Sequence, residues 1–239
     1  LDVGQGDCFV ADTKSGMIIF DGGSSSEDQV GRYRILPYMK YLGYQKIQIA
    51  VISHMDIDHY SGIKELLEMG KIKYLGLPEI PKDETMKKII GIAKKRGTTI
   101  FYLSRGRQIT TKDGSLKVLH PQKNSQMEKN AASLVMQGKI LGYRVLLTGD
   151  VEKEGEEELL SEELERADIL KAAHHGSKNS TSNEFLQKVQ PKQTVISCGK
   201  QNRYGHPHLE TIHRLQTYRT KIYRTDRSGA IIFFKRRDG

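Results

Sequence analysis

Short apolar runs alternate with longer amphipathic segments along the whole chain, and this alternation predicts a layered α/β fold. The apolar runs have strand length, and the longer segments carry apolar residues at helical spacing. The predicted strands cover residues 8–11, 17–20, 47–52, 99–103, 116–119, 134–137, 143–147, 168–172, 194–197, 221–223 and 230–234. The predicted helices cover residues 30–42, 61–69, 84–95, 153–160, 183–189 and 208–217.

Little in the sequence divides it into separate domains. Repeats, heptads and low-complexity segments are absent, and Asp113-Gly114 between two apolar runs predicts a hairpin turn. The polar residues 122–130 are the one candidate boundary, and they suit a loop between two halves better than a linker. We therefore expect residues 1–239 to form one domain.

Composition and charge narrow the classes of protein and of metal site. The 239 residues include two cysteines, which excludes a disulfide framework and a cysteine-rich metal site. No apolar stretch approaches the roughly 18 residues of a membrane-spanning helix. The net charge is +9, and residues 200–239 carry 10 basic against 3 acidic side chains. This segment suits an anionic polymer such as nucleic acid, although a solvated basic face also explains the charge.

The strongest chemical signal is a set of four histidines and aspartates that follows the apolar run 47–52. In an extended or turning backbone His54 and Asp56 point to the same side, and Asp58 and His59 can face a second point nearby. Imidazole and carboxylate ligands without thiolate suit Zn²⁺, Mn²⁺ or Fe, and two neighbouring sites suit a two-metal hydrolase. The alternative is a hydrophilic surface turn.

Two later strands end in residues that can also bind metal. Asp150 follows the apolar residues 145–147 and could bridge two cations, although an Asp before an acidic helix can also be an ordinary N-cap. His174 and His175 follow the run 169–172, so one could be a ligand while the other donates a hydrogen bond or a proton. A structural histidine is the alternative for each.

Further polar residues complete the candidate site. His206, between Gly205 and Pro207, suits contact with a bound phosphate or a role as general acid. Asp21 ends a predicted strand where it could orient a ligand histidine, and Asp7 lies in a glycine-containing segment that could approach the site closely. Structural or solvent-facing positions are expected for three other histidines, His120, His208 and His213.

Taken in order, these motifs resemble the metallo-β-lactamase superfamily, from Asp2 to about Gly229. The usual H-x-H-x-D-H pattern has Asp56 at its second ligand position. With LDVGQGD, LLTGD, HHGS and NRYGHPH, this variant looks most like the hydrolase domain of ComEC-type DNA-uptake proteins, and phosphorylcholine esterases of the superfamily carry a similar variant. The resemblance implies a four-layer αββα sandwich of two pseudo-equivalent halves, with the boundary near residues 122–130.

The resemblance also implies two divalent metal ions, zinc or manganese, and a distribution of ligands between them. One ion would be held by His54 and Asp56. The other would be held by Asp58, His59 and His175, with Asp150 as the bridge. Many members supply a further histidine from the middle of the chain, but residues 130–135 contain none. We therefore expect the first site to have fewer protein ligands.

The resemblance implies a phosphodiesterase or nuclease that cleaves DNA with a metal-activated hydroxide. Asp56 or Asp58 would accept the proton of the water. His174 and His206 would contact non-bridging oxygens or protonate the leaving alkoxide. Flanking phosphates and the substrate would be bound by basic and aromatic residues of the C-terminal segment, namely Arg203, Tyr204, His206, Arg224 and Arg227.

Two other functions are also compatible with the sequence. One is a small-molecule ester or phosphodiester hydrolase that resembles phosphorylcholine esterases or lactamases. The other is a catalytically weak DNA-binding module, which the missing mid-chain histidine allows. If the chain belongs to a ComEC-type protein, the resemblance implies a membrane channel domain in the same parent protein and a position outside the cytoplasmic membrane. A free-standing version could be cytoplasmic.

Overall fold

The computed structural model describes residues 1–127 and 129–234, and its first half is built around a five-stranded sheet. The strands lie in sequence order, with β1 antiparallel to β2 and the other neighbours parallel. They are β1 (Phe9–Thr13), β2 (Gly16–Phe20), β3 (Ile47–Val51), β4 (Ile72–Pro78) and β5 (Thr99–Leu103). The helical elements are a π-helical turn (Gly31–Ile35), α1 (Leu36–Tyr41), α2 (Ile57–Glu68) and α3 (Glu84–Lys95).

A seven-stranded sheet forms the second half, in the order β12-β11-β10-β9-β8-β7-β6. Neighbouring strands from β6 to β9 are antiparallel to one another. Neighbouring strands from β9 to β12 are parallel. The strands are β6 (Gln108–Thr111), β7 (Gly114–His120), β8 (Val135–Ile140), β9 (Tyr143–Leu147), β10 (Ile169–Lys171), β11 (Gln193–Ile196) and β12 (Lys221–Arg224). The α-helices are α4 (Lys153–Leu160), α5 (Asn183–Val189), α6 (Leu209–Thr217) and α7 (Thr225–Ser228).

Alternate residues of the strands divide between the core shared by the two sheets and the cores under the helices. In β2, Phe20 packs into the cluster shared with the second sheet, together with Val118 and Met136. Its neighbour Ile19 packs on the other face with residues of the helices, such as Ile63 of α2. A third cluster lies between the second sheet and its own helices. These layers confirm the predicted four-layer αββα sandwich.

The structure differs from the predicted elements in a few places. The hairpin at Asp113-Gly114 joins β6 to β7, as predicted, but β4 and β6 were not predicted from their mixed apolar and polar residues. The predicted strand at residues 230–234 is wrong, since this segment pairs with no strand. After β12 the chain turns through α7 and leaves the sheet edge, and Phe233 packs against Tyr143 and Tyr223 instead.

The chain passes from the first sheet to the second over residues 104–107, before the polar segment 122–130. One domain over residues 1–239 therefore stays a prediction, as does its internal boundary. Within the described ranges, none of the helices has the length and apolar character needed to span a bilayer.

A tight backbone contact fixes the start of α2 against the loop after β2. A Cβ atom at Gly23 would lie 2.6 Å from backbone atoms of Ile57, Asp58 and His59. The neighbouring Gly22 N–H donates to the His59 carbonyl at 2.8 Å. Gly23 is therefore required because the first turn of α2 passes directly over it.

We expect Gly23→Ala to lower the free energy of unfolding by about 1–3 kcal/mol, because the added methyl overpacks a backbone contact. Urea unfolding measures the change. The matched control is Gly91→Ala on the exposed face of α3, where a Cβ would meet no atom of the described chain within 4 Å. The control should be neutral or stabilising by up to about 1 kcal/mol, as for alanine in a helix. Equal stability of Gly23→Ala and the wild type would contradict this account.

Candidate metal centre

The candidate site residues lie at the carboxyl ends of parallel strands. Asp21 follows β2, Ser53 and His54 follow β3, and Asp150 follows β9. His174 and His175 follow β10. Because parallel strands end at the same edge of a sheet, these side chains meet at one edge of the sandwich.

The side chains of His54, Asp58, His59, Asp150 and His175 form a cluster at this edge. One ring nitrogen of His59 is held by Asp21, and the other faces this cluster. His59 lies in the first turn of α2, fully buried. Its Nδ1 lies 2.9 Å from Oδ2 of Asp21, which also accepts hydrogen bonds from the backbone N–H and the hydroxyl of Ser53. Its Nε2 lies 3.1 Å from Oδ2 of Asp150. Asp21 therefore fixes the ring so that Nε2 points into the cluster.

His175 is oriented in a similar way by the main chain. Its Nδ1 donates to the Ser197 carbonyl after β11 at 2.9 Å. Its Nε2 lies 3.2 Å from Oδ2 of Asp150 and 3.3 Å from Oδ2 of Asp58. The same carboxylate oxygen of Asp150 is thus close to both His59 and His175.

His174 lies on the outer, partly exposed side of the buried cluster. Its Nδ1 lies 2.7 Å from Glu152 Oε1, and its Nε2 lies 3.9 Å from Asp150 Oδ2. The side chain is 24% exposed, whereas His175 is buried. Both residues have left-handed backbone angles, with φ of 46° and 51°. A non-glycine residue adopts this conformation at some cost, and here it turns the two adjacent rings in different directions.

His54 and Asp56 form the outer part of the cluster. His54 is buried, its Nδ1 is 3.0 Å from the Ser53 hydroxyl, and its ring centroid is 4.1 Å from that of His59. Asp56 is the N-cap residue of α2 but makes no capping hydrogen bond through its side chain, which is 44% exposed and has one oxygen 3.8 Å from His54 Nε2. The structure therefore places this carboxylate at the mouth of the site.

The cluster has the donors that a divalent ion requires. Within the described chain, the buried Nε2 atoms of His54, His59 and His175 have no hydrogen-bond partner. Ligand atoms of His54, His59 and Asp150 lie within 4.8 Å of one another, as do those of Asp58, His59 and His175. Unpaired buried nitrogens beside carboxylates are expensive unless a cation binds them. The residues present therefore fit divalent ions with nitrogen and oxygen ligands.

Burial and charge act in opposite directions on these groups. Burial alone would lower the pKa of His59 and His175, but the carboxylate of Asp150 outweighs it and raises both pKa values well above the usual one. Burial would raise the pKa of Asp150, yet His175 and His59 hold it well below its usual value. Burial lowers the pKa of His54 to about 3, so that this ring is neutral.

Lys171 is a site residue that the sequence analysis missed. It is fully buried at the end of β10, and its Nζ contacts Asp7, Asp150 and the Gly149 carbonyl. Burial would lower the pKa of this lysine, but the carboxylates of Asp7 and Asp150 raise it. The available signal was a lysine inside the apolar run that precedes His174-His175.

The loop after β11 carries the remaining predicted residues. Asn202 holds the main chain of His206, whose ring centroid lies 5.3 Å from that of His174. The His206 ring is buried, and its Nδ1 has no partner among the described residues. Tyr204 stacks on His206 at 5.7 Å, and the guanidinium of Arg203 lies over Tyr204.

Two predicted arginines and three histidines lie away from the cluster. Arg224 forms a bidentate ion pair with Asp226, and with Arg227 it lines a groove along α6. The three histidines are His120, bonded to the Ala131 carbonyl; His208, at the N-cap of α6; and His213, exposed on α6.

Comparison with known proteins gives a consistent result. A family model described as "Metallo-beta-lactamase superfamily" matches residues 1–200. ComE operon protein 3 of Bacillus subtilis (strain 168) is 37% identical over 259 residues, covering 100% of this chain and 33% of that protein. Competence protein ComA of Neisseria gonorrhoeae is 30% identical over 248 residues, covering 100% of this chain and 32% of that protein. The chain spans about a third of the length of these relatives.

A solved structure supports the fold. The crystal structure of the metallo-β-lactamase fold protein YhfI from Bacillus subtilis matches with a TM-score of 0.61 and 14% identity, covering 92% of this chain and 89% of that one. The predicted resemblance to ComEC-type competence proteins is confirmed by the two relatives. Because the matched residues include β1 to β11 and the whole His/Asp cluster, the chain belongs to the metallo-β-lactamase superfamily.

Proposed function

We propose that this chain is a two-metal phosphodiesterase that cleaves DNA. The observation that carries the proposal is the position of Asp150 Oδ2, which lies 3.1 Å from His59 Nε2 and 3.2 Å from His175 Nε2. Both of these imidazoles would bind the inner ion, and Asp150 also has a ligand atom within 4.8 Å of His54, which would bind the outer one, so this carboxylate suits a bridge between two cations. The fold implies a divalent-metal hydrolase, and the proposal adds the substrate and the role of each residue.

The ligands divide between an outer and an inner position. His54 and Asp56 would hold the outer ion near the mouth of the site, and Asp58, His59 and His175 would hold the inner one. Asp150 would bridge them. Asp21 and the Ser197 carbonyl would not bind metal but would orient the ligand histidines His59 and His175 by contacting their Nδ1 atoms. Zinc and manganese both suit such a ligand set.

Bound metal ions would supply an activated water and neutralise charge that develops on the phosphate. The protein would move the protons. Asp56 or Asp58 would accept the proton of the attacking water. Glu152 fixes Nδ1 of His174, which leaves Nε2 of this partly exposed ring to contact a phosphate oxygen or to protonate the leaving alkoxide. His206, next to His174, would take the other of these two roles.

The basic C-terminal segment and the relatives support DNA as the substrate. Arg203 and Tyr204 lie in the loop that carries His206, where they would contact the strand beside the scissile phosphate. Arg224 and Arg227 would hold phosphates farther along the groove of α6. One relative is named a competence protein, and we propose a role in DNA uptake for this chain. The parent protein would then include a membrane channel domain, with this domain outside the cytoplasmic membrane.

The metal-dependent cleavage is tested with Asp58→Ala. Labelled single- and double-stranded DNA, a chromogenic phosphodiester and a β-lactam are each assayed with Mn²⁺ or Zn²⁺. We expect DNA cleavage by the wild type and a loss of at least roughly 100-fold in the variant, because a ligand and a proton acceptor are removed. Glu163→Ala, an exposed carboxylate in the loop between α4 and β10, is the control and should keep full activity. Cleavage that needs no metal, or turnover of the β-lactam alone, would refute the proposal.

Metal binding should weaken as the pH falls. Burial would lower the pKa values of His59 and His175, but the Asp150 carboxylate raises them well above the usual value, which favours protonated rings before metal binding. A metal ion must displace these protons, so that binding releases protons and the apparent affinity rises with pH. Calorimetry of Mn²⁺ binding in buffers of different ionisation enthalpy counts the protons released. Binding without proton release at neutral pH would contradict this assignment of ligands.

Arg203→Ala should weaken DNA binding more at low salt than at high salt. If this guanidinium contacts one phosphate, its removal lowers the slope of log affinity against log salt by about 1. Fluorescence anisotropy with a labelled oligonucleotide measures the slope. The control is Arg96→Ala at the C-cap of α3, at the opposite edge of the first sheet. An equal change in both variants would indicate a general charge effect.

A further inference from the structure

The ammonium group of Lys171 has a defined set of partners inside the candidate metal centre. Its Nζ contacts one oxygen of Asp7, the Gly149 carbonyl and Oδ1 of Asp150, the last at 3.0 Å. An ammonium group has three N–H donors, and three acceptors surround it here. The ammonium group donates hydrogen bonds to the Gly149 carbonyl and to Asp150 Oδ1 and forms an ion pair with Asp7, so this fully buried lysine is set up to hold its partners rather than to bind substrate.

The two oxygens of Asp150 are divided between different partners. Oδ1 lies with Lys171, whereas Oδ2 lies 3.1 Å from His59 Nε2 and 3.2 Å from His175 Nε2. The backbone N–H of Asp150 donates to the Ser133 hydroxyl at 3.2 Å, which holds the main chain of this residue. A rotation that brought Oδ1 into the cluster would break the contact with a buried ammonium group, which is costly.

We propose that Lys171 is a positioning residue of the metal centre, which holds Asp150 through Oδ1 and so presents the single oxygen Oδ2 to both metal positions. This inference rests on the metal assignment proposed above. It differs from a bridge that uses one carboxylate oxygen for each ion. The ammonium group has no lone pair and cannot itself coordinate a metal ion, so Lys171 would affect the metal only through the position of Asp150.

A purely electrostatic role for Lys171 would have the opposite consequence. A positive charge next to two cation sites repels the cations, so removing it should strengthen metal binding. Removing a group that holds a ligand in place should instead weaken binding, by roughly 10–100-fold for such supporting contacts. The sign of the change in affinity therefore separates the two roles.

The first experiment measures Mn²⁺ binding by the whole chain with Lys171→Met, which keeps a long side chain and removes the charge. Calorimetry gives the affinity, and electron paramagnetic resonance reports whether two bound Mn²⁺ ions are magnetically coupled. We expect affinity to fall by roughly 10–100-fold and the coupled signal to be lost. Lys192→Met is the control, because it removes an exposed ammonium group that pairs with Asp168 just before β10, away from the metal edge, and should keep the coupled pair.

The second experiment does not depend on whether a variant folds. A crystal structure of the wild type grown with Mn²⁺ should show Oδ2 of Asp150 on both ions and Oδ1 still on Lys171. One oxygen on each ion would overturn the inference, as would tighter or unchanged Mn²⁺ binding in a folded Lys171→Met protein. If the wild type binds no Mn²⁺ or Zn²⁺ at this cluster, the metal assignment itself fails.

Discussion

The site is organised around one buried carboxylate, Asp150, which lies between two imidazoles and an ammonium group. Burying a carboxylate costs several kcal/mol unless charged partners compensate for it. Here His59, His175 and Lys171 provide that compensation. These partners come from the first turn of α2, from β10 and from the turn that follows it. They meet only if both sheets present their carboxyl edges to the same place, so the packing of the sandwich and the chemistry of the cluster depend on each other.

Three further buried contacts each occupy the Nδ1 atom of a histidine, on the side of the ring that faces away from the cluster. The pairs are Asp21 with His59, the Ser53 hydroxyl with His54, and the Ser197 carbonyl with His175. In each case Nε2 is left to face the cluster, unpaired in the part of the chain that the structure describes. Ring orientation is therefore fixed before a metal ion arrives, and the rings need little movement to bind it.

The layers of the fold and the histidine and aspartate motifs could be predicted because they are local features of the sequence. Strand ends that carry His54, Asp150 and His175 predict a common edge once the strands are parallel. Lys171 could not be found in this way, because its partner Asp7 is remote in the chain and a buried lysine is normally disfavoured. The strand predicted at residues 230–234 was wrong because Phe233 packs against the rings of Tyr143 and Tyr223, while the segment pairs with no strand among the described residues.

The first seven residues join the two halves of the sandwich at the metal edge. Gln5 accepts a hydrogen bond from the Gly199 backbone through its side chain at 3.0 Å, and Asp7 contacts Lys171. Removing this segment would leave the buried ammonium group of Lys171 without its Asp7 carboxylate partner. An excision of this domain from a longer polypeptide should therefore keep all seven residues, which include the fully buried Val3. A cut placed at β1, where the regular secondary structure starts, would remove part of the site along with the linker.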